Sequence, residues 1–182
     1  AELEEAIDES ADRLEALIDN LLDMSRLQVG ALVAHPRRID LGEVVPAAIR
    51  GSVHPGQITW SLGEGARFAT ADAGLLDRVL GNLVENAIRH HNSVERIRVT
   101  TSRIRDEVQL RVIDAGPGIP LAVREHAFQP FQRQTDSGGD GVGLGLAVAR
   151  GLTEAMGGTL TAEDTPGGGL TMVVALPAGS ST

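Results

Sequence analysis

Apolar residues recur along the first thirty positions at the spacing of an α-helix. The stripe follows intervals of seven, three, four and three residues through Ile7, Leu14, Leu17, Leu21 and Met24, with Ile18 and Leu22 beside it. This spacing predicts one long amphipathic helix over residues 1–30, ended by Gly30. Such a helix needs a partner, which is either the rest of this chain or the other helices of a bundle, absent from the sequence or supplied by a second subunit.

Beyond the first helix the pattern predicts a mixture of helices and strands. Residues 31–39, with Pro36, predict a linker, and residues 178–182 a short tail. We expect helices at residues 40–49, 72–90 and 144–156, the first opened by a capping box at Asp40 and the second capped by Asp72. Strand patterns cover residues 57–62, 67–70, 97–103, 108–114, 159–163 and 170–176.

This order of elements lacks the regular alternation of a parallel βαβ fold. It favours an α+β fold: a two-layer sandwich over residues 40–177, in which a mixed sheet is covered by helices on one face, preceded by the long amphipathic helix.

The acidic charge of the chain is concentrated in the predicted first helix. The net charge is −9, and residues 1–29 carry nine acidic residues against Arg13 and Arg26. This balance disfavours nucleic acid as a partner, and no apolar run approaches the ~20 residues of a membrane span.

The sequence has no Cys and no Lys, which excludes thiol catalysis, Cys-ligated zinc and a Walker-type lysine. The acidic start within a helix, without the basic residues of a signal peptide, leads us to expect a cytoplasmic fragment of a longer protein that makes no membrane contact.

The predicted helix at residues 72–90 has two chemically different faces. At about 100° per residue its apolar face carries Leu76, Leu80, Leu83, Val84 and Ala87, and its polar face carries Asn82, Glu85, Asn86, Arg89 and His90. A polar face is usually only solvated. Here two Asn one turn apart offer neutral oxygens suited to Mg²⁺, and an Arg one turn on can reach a phosphate.

Two further segments fit a nucleotide. Asp114 ends an apolar strand and is followed by Gly116 and Gly118, so its carboxylate can accept a hydrogen bond from an exocyclic amine such as that of adenine. The glycines at 139, 141, 143 and 145 then expose backbone N–H groups at the start of the helix at 144–156, which suits a triphosphate. The spacing of these glycines, and the polar residues that precede them, disfavour a Rossmann turn. We expect the polar segment 132–142 to be a lid that becomes ordered when nucleotide binds.

The order of these motifs resembles that of sensor histidine kinases over residues 40–177. The sequence NLVENAIRH at 82–90 resembles the N box, DAGPG at 114–118 the G1 box, FQPFQR at 128–133 the F box, GVGLGL at 141–146 the G2 box and GGGLT at 167–171 the last Gly-rich box. Residues 1–30 resemble the second helix of the dimerisation and histidine-phosphotransfer domain of that family. Their sequence LLDMSRLQ, ending at Gln28, is similar to that of Kdp-type, potassium-responsive kinases.

The resemblance implies ATP and Mg²⁺ as cofactors and assigns roles to individual residues. It implies Mg²⁺ at Asn82 and Asn86, phosphate contacts or catalysis by Asn82, Arg89 and Arg133, and adenine recognition by Asp114. It implies that the rest of the nucleotide site consists of His90, Gly116, Gly118, Phe131, Gly141, Gly143, Gly145, Leu146 and Thr171. The family usually has Lys-Tyr where this chain has Arg89 and His90, so an imidazole replaces the aromatic ring beside the nucleoside.

The phosphate acceptor of this family is a His followed by Glu or Asp on the first helix of the helical domain. None of the five His of this sequence has that context. The resemblance therefore implies transfer of the γ-phosphoryl group to a histidine on a helix that this sequence lacks, without self-phosphorylation, and relay to an aspartate of a response regulator receiver domain. The parent protein is expected to be a homodimer through its helical domain.

Two other functions remain open from the sequence. One is an ATP hydrolase of the same fold, as in gyrase, Hsp90 and MutL; those enzymes place a Glu where this chain has Asn82, which cannot act as a base. The other is a nucleotide-binding or interaction module without catalysis.

Overall fold

The computed structural model describes residues 2–52, 55–90, 97–132 and 143–179. In these ranges the chain forms four helices: α1 (Glu2–Gln28), α2 (Leu41–Arg50), α3 (Ala73–His90) and α4 (Gly145–Ala155). It also forms seven strands: β1 (Arg37–Asp40), β2 (Ile58–Ser61), β3 (Phe68–Ala71), β4 (Ile97–Ile104), β5 (Glu107–Ile113), β6 (Thr159–Asp164) and β7 (Leu170–Pro177). No described helix is both long enough and apolar enough to span a bilayer.

Five strands make one mixed sheet in the order β2-β4-β5-β7-β6, in which only β2 and β4 pair in parallel. One face of the sheet is apolar and buried, through residues such as Val99, Leu110, Val112, Met172 and Val174. The apolar face of α3 is buried as its spacing predicted, with Leu76, Leu80, Leu83, Val84 and Ala87 all at most 3% exposed. The opposite sheet face carries polar side chains, including the ion pair of Arg111 with Glu163 at 3.0 Å. The predicted two-layer α+β fold is confirmed.

The boundaries of the domain differ from those predicted. Residues 37–39, predicted as linker, belong to β1, which pairs antiparallel with β3 and buries Ile39. The run Arg-Arg-Ile-Asp has a single apolar residue, so its strand character comes from the partner strand rather than from its own pattern. At the other end, the amides of Ala178 and Gly179 donate to the carbonyls of Asp106 and Phe68, which ties the start of the predicted tail to the domain.

Only the last turns of α1 contact the domain among the side chains described. Asp23 is 1% exposed and accepts a hydrogen bond from Arg78 Nη1 at 2.7 Å. Burial raises the pKa of Asp23, and the nearby Arg78 opposes that shift. Leu27 packs against α4 at Gly151, where an added Cβ would lie 2.6 Å from Leu27 Cδ1. Earlier in the helix, the predicted stripe is exposed at Ile7, Leu14, Ile18, Leu21 and Leu22, so the described part of the chain does not cover it.

Candidate functional site

The start of α3 is fixed by the carboxylate of Asp72. Its Oδ1 accepts from the amides of Gly74 and Leu75, at 3.0 and 3.2 Å, and caps the helix. Its Oδ2 accepts from the amide of His35 at 3.0 Å. These hydrogen bonds, that from His35 above all, lower the pKa of Asp72. The helix that carries the polar face is therefore capped as predicted and is also tied to the preceding segment.

The polar face of α3 is half-buried rather than freely solvated. Asn82, Asn86 and His90 follow one another at intervals of four residues, and each is partly buried. Glu85 and Arg89 lie beside them and form an ion pair, with Arg89 Nη2 2.5 Å from Glu85 Oε1. Two Asn inside a helix cost stability relative to better helix formers. Their partial burial on one stripe supports a binding role for this face.

Asp114 follows β5 and is only 5% exposed. Its Oδ1 accepts from the amide of Gly116 at 2.8 Å and from the amide of Leu170 at 3.1 Å. Both bonds use the same oxygen, and within the described part of the chain no donor reaches Oδ2. The carboxylate is thus held in place from one side, and its second oxygen can accept from a ligand.

Glycines allow the backbone around Asp114 to pack closely. A Cβ on Gly116 would lie 2.4 Å from the carbonyl oxygen of His90, and a Cβ on Gly169 would lie 2.0 Å from that of Asp114. Gly118 and Gly169 also have positive φ angles, +70° and +113°. Side chains at these positions would separate the end of α3, the strand end at Asp114 and the loop before β7.

These elements together line a small, nearly closed cleft with an internal volume of about 10 Å³. The cleft is lined by Asn86, His90, Asp114, Pro117, Gly118, Ile119 and Leu170. Burial, and next the positive charge of Arg89, lower the pKa of His90. Both effects favour the neutral imidazole. The cleft combines apolar walls, one ring and one buried carboxylate, which is the composition expected of a site for a flat heterocycle carrying an amine.

A second group of residues lies at the start of α4, beside the polar face of α3. A Cβ on Gly145 would lie 3.3 Å from Asn82 Oδ1, so this amide group faces the first residue of the helix. Leu144, the residue before α4, makes no capping hydrogen bond with its side chain. The first N–H groups of α4 have no partner within the helix and can bind an anion. Gly143, with φ +75°, accepts a hydrogen bond from the amide of Phe131 at 3.0 Å, which links two of the motifs.

Of the other predicted site residues, some lie outside the described part of the chain and others lie elsewhere in the fold. Arg133 and Gly141 lie outside the described residues, as does most of the predicted lid. Leu146 belongs to the hydrophobic core. Thr171 is buried and its hydroxyl is 2.9 Å from that of Thr165, because the alternation along β7 turns it away from the cleft. Phe131 is 62% exposed, with a φ angle of +63°.

Three residues that line the cleft were missed by the motif analysis: Pro117, Ile119 and Leu170. Pro117 lies inside the DAGPG motif and Ile119 directly after it, but only the acid and the glycines of that motif were predicted to bind a ligand. Leu170 directly follows three glycines and bonds to Asp114 through its amide. The three glycines at 167–169 could have indicated Leu170. Glycine allows two backbone segments to approach closely, and the residue after the last glycine then lies near that contact.

Comparisons with known proteins identify the family of this domain. The sequence profile of the histidine kinase-, DNA gyrase B-, and HSP90-like ATPase family matches residues 71–180. The chain is 47% identical over 186 residues to Sensor protein KdpD of Mycobacterium tuberculosis, a match that covers 98% of this chain and 22% of that protein. It is 38% identical over 165 residues to Sensor protein KdpD of Escherichia coli, covering 88% of this chain and 18% of that protein.

Among solved structures, full-length ShkA in complex with AMPPNP superposes with a TM-score of 0.79 at 26% identity, covering 97% of this chain and 38% of that one. The chain spans about a fifth of the length of the curated KdpD relatives it matches. The profile match covers more than half of the chain and includes both the polar face of α3 and the cleft at Asp114. The chain therefore belongs to the family of histidine kinase-, DNA gyrase B- and HSP90-like ATPases, and its domain is of the sensor histidine kinase type.

Proposed function

We propose that the cleft at Asp114 binds the adenine of ATP. The observation that carries this proposal is the state of the Asp114 carboxylate: Oδ1 is held by two backbone amides, and no described donor reaches Oδ2. Adenine offers an exocyclic amine, which Oδ2 can accept in a charge-assisted hydrogen bond. The apolar walls at Ile119 and Leu170 suit the faces of the base, and the neutral imidazole of His90 suits the nucleoside.

The triphosphate and Mg²⁺ belong, in this proposal, to the neighbouring polar group. Asn82 and Asn86 present hard, neutral amide oxygens one helical turn apart. Mg²⁺ usually keeps several waters and takes only one or two protein oxygens when phosphates complete its coordination, so this donor set suits it. When bound, Mg²⁺ neutralises charge on the phosphates. The start of α4 at Gly145 offers backbone N–H groups to the same anion.

Arginines complete the phosphate site. Arg89 is exposed and already paired with Glu85, so phosphate binding exchanges one anionic partner for another at little cost in desolvation. Arg133, with Gly141 and Gly143, is proposed to act at the same end of the nucleotide. Phosphoryl transfer depends mainly on such positioning and charge neutralisation.

The proposed reaction transfers the γ-phosphoryl group to a histidine on a separate helix, for relay to the receiver domain of a response regulator. The exposed stripe of α1 supports this arrangement, because it leaves an apolar face for the other helices of a dimeric helical domain. The parent protein is proposed to be a homodimeric sensor kinase with this part in the cytoplasm. As it stands, the chain is expected to phosphorylate a supplied acceptor and not itself.

A phosphotransfer assay tests this proposal. The chain is incubated with Mg²⁺, γ-labelled ATP and a separately produced helical domain that carries the acceptor histidine of a Kdp-type kinase. Acid-labile label on the helical domain, and none on this chain, is the expected result. The control is the same reaction with an Asn86→Asp variant, which should transfer little label. Release of inorganic phosphate without label on the acceptor would indicate an ATP hydrolase, and nucleotide binding without either product a non-catalytic module.

A further inference from the structure

Arg124 lies behind the cleft, in the segment between Ile119 and Phe128, and none of its own atoms lines the cleft. Its side chain is 11% exposed, unusually low for an arginine. Nη2 donates to the carbonyl of Ile119 at 2.9 Å and to Asp164 Oδ1 at 2.5 Å. Nη1 donates to the carbonyl of Ala162 at 3.3 Å. One guanidinium group therefore bonds to three residues on two separate segments of the chain.

One of those segments carries a residue that lines the cleft, and the other pairs with the strand that carries a second. Ile119 is itself one lining residue. Asp164 pairs directly with Leu170, the lining residue on the other side, in the register of β6 and β7. The backbone next to Ile119 also lies close to the backbone next to Leu170, since a Cβ on Gly118 would lie 3.1 Å from the carbonyl oxygen of Gly169. Arg124 thus joins Ile119 to the strand position opposite Leu170.

The chemistry of the contact requires arginine. The planar guanidinium group presents its N–H donors from separate nitrogens in fixed directions, whereas a lysine ammonium presents three rotatable donors from one nitrogen and cannot match that spread. Within the described residues Nε of Arg124 is buried without a partner. An unsatisfied buried donor carries an energetic cost, so the bonds of Nη1 and Nη2 are what hold this side chain in place.

We propose that Arg124 is a positioning residue for the base of the nucleotide: it fixes the distance between the Ile119 wall and the Leu170 wall of the cleft. This inference rests on the proposed binding of adenine at Asp114. It assigns Arg124 no contact with the nucleotide. Its effect is on how well the base is held against the Asp114 carboxylate, and so on the preference for adenine over guanine.

The test compares Arg124→Met and Arg124→Lys with the unaltered chain. Dissociation constants are measured for non-hydrolysable analogues of ATP and GTP, well below the melting temperature of each variant. Loss of Arg124 is expected to lower the affinity for the ATP analogue about tenfold and the affinity for the GTP analogue much less. The reason is that displacement of Ile119 or Leu170 breaks the hydrogen bond between Asp114 and the adenine amine. Arg124→Lys, which keeps the charge and the stem, should not restore the preference.

The matched control is Arg111→Met. Arg111 also pairs with a β6 carboxylate, Glu163, but on the opposite face of the sheet, and its other side-chain hydrogen bond among the described residues is to Gln109. It should leave both affinities unchanged. A purely structural role for Arg124 would lower the folded fraction and scale both affinities equally. An unchanged ratio of ATP to GTP affinity, in whichever of the two variants folds, would therefore overturn the inference.

Failure of the proposed function would look different. In that case the unaltered chain would itself show no preference for the ATP analogue, and Asp114→Asn would have no effect. If the unaltered chain prefers the ATP analogue, Asp114→Asn abolishes that preference and the Arg124 variants retain it, adenine binding stands and the role of Arg124 is refuted.

Discussion

Replacing Asp114 with Asn changes one atom and one charge in the cleft. The amide oxygen of Asn can still accept from the amides of Gly116 and Leu170, as Oδ1 of Asp114 does at 2.8 and 3.1 Å. Oδ2 becomes an NH₂ group, a donor that faces the donor amine of adenine. The fold should therefore be almost unaffected, whereas adenine binding loses its hydrogen bond.

The magnitude follows from the type of bond that is lost. A hydrogen bond to a charged group contributes about 1.5–3 kcal/mol, so affinity for an ATP analogue should fall roughly 10- to 150-fold. Asp114→Ala provides the contrast, because it also leaves the buried amide of Leu170 without an acceptor. An unsatisfied buried donor costs about 1–3 kcal/mol of folding stability, and each kcal/mol lowers the melting temperature of a domain of this size by about 2–4 °C.

The assay is calorimetric titration of each variant with ATP and GTP analogues, together with thermal unfolding. Asp114→Asn should keep its melting temperature within about 2 °C while losing the preference for ATP, because the new NH₂ group suits the acceptor oxygen of guanine. Asp114→Ala should lose both affinity and stability. An Asp114→Asn variant with the original affinity and the original ATP to GTP ratio would refute the assignment of Asp114 to adenine.

Three further predictions concern the polar face of α3, the ring of His90 and the contact of α1. Asn86→Asp should lower the affinity for the Mg²⁺-nucleotide at least tenfold, because a carboxylate repels the phosphates. An unchanged affinity in a calorimetric titration would show that Asn86 is not part of the site. Burial lowers the pKa of His90, so the unfolded chain takes up a proton first as the pH falls, and the stability attributable to His90 is present above pH 6.5 and is lost below it. His90→Gln should therefore reduce the difference in unfolding free energy between pH 7.5 and pH 5.5, as measured by denaturant unfolding. Gly151→Leu should displace α1 and accelerate proteolysis at residues 29–36, whereas Gly81→Leu, where the space is open, should not; equal cleavage would show that the Leu27 contact does not hold α1 in place.

Local pattern was enough to predict most elements and part of the site. The spacing of Leu76, Leu80 and Leu83 set the buried face of α3, and the same geometry placed Asn82 and Asn86 together on the other face. These properties are local, because one helical turn relates the residues concerned. The predicted strands of the main sheet agree with the structure within a few residues for the same reason.

What the sequence could not predict depends on contacts between distant residues. The strand character of β1 comes from pairing with β3 some thirty residues away, and the leucine at 170 lines the cleft because β7 lies beside β5. The ion pair of buried Asp23 with partly exposed Arg78 spans 55 residues, and neither side chain differs in pattern from its solvated neighbours. Motif analysis likewise assigned Thr171 to the site, although its hydroxyl faces Thr165.

The most direct test of nucleotide binding at Asp114 and the Asn pair is a calorimetric titration of the chain with a non-hydrolysable ATP analogue, with and without Mg²⁺. We predict one site per chain and a clear loss of affinity when Mg²⁺ is removed, because Asn82 and Asn86 then lose the ion through which they act on the phosphates. Absence of binding heat at several temperatures and millimolar analogue, from a chain shown to be folded, would contradict the account.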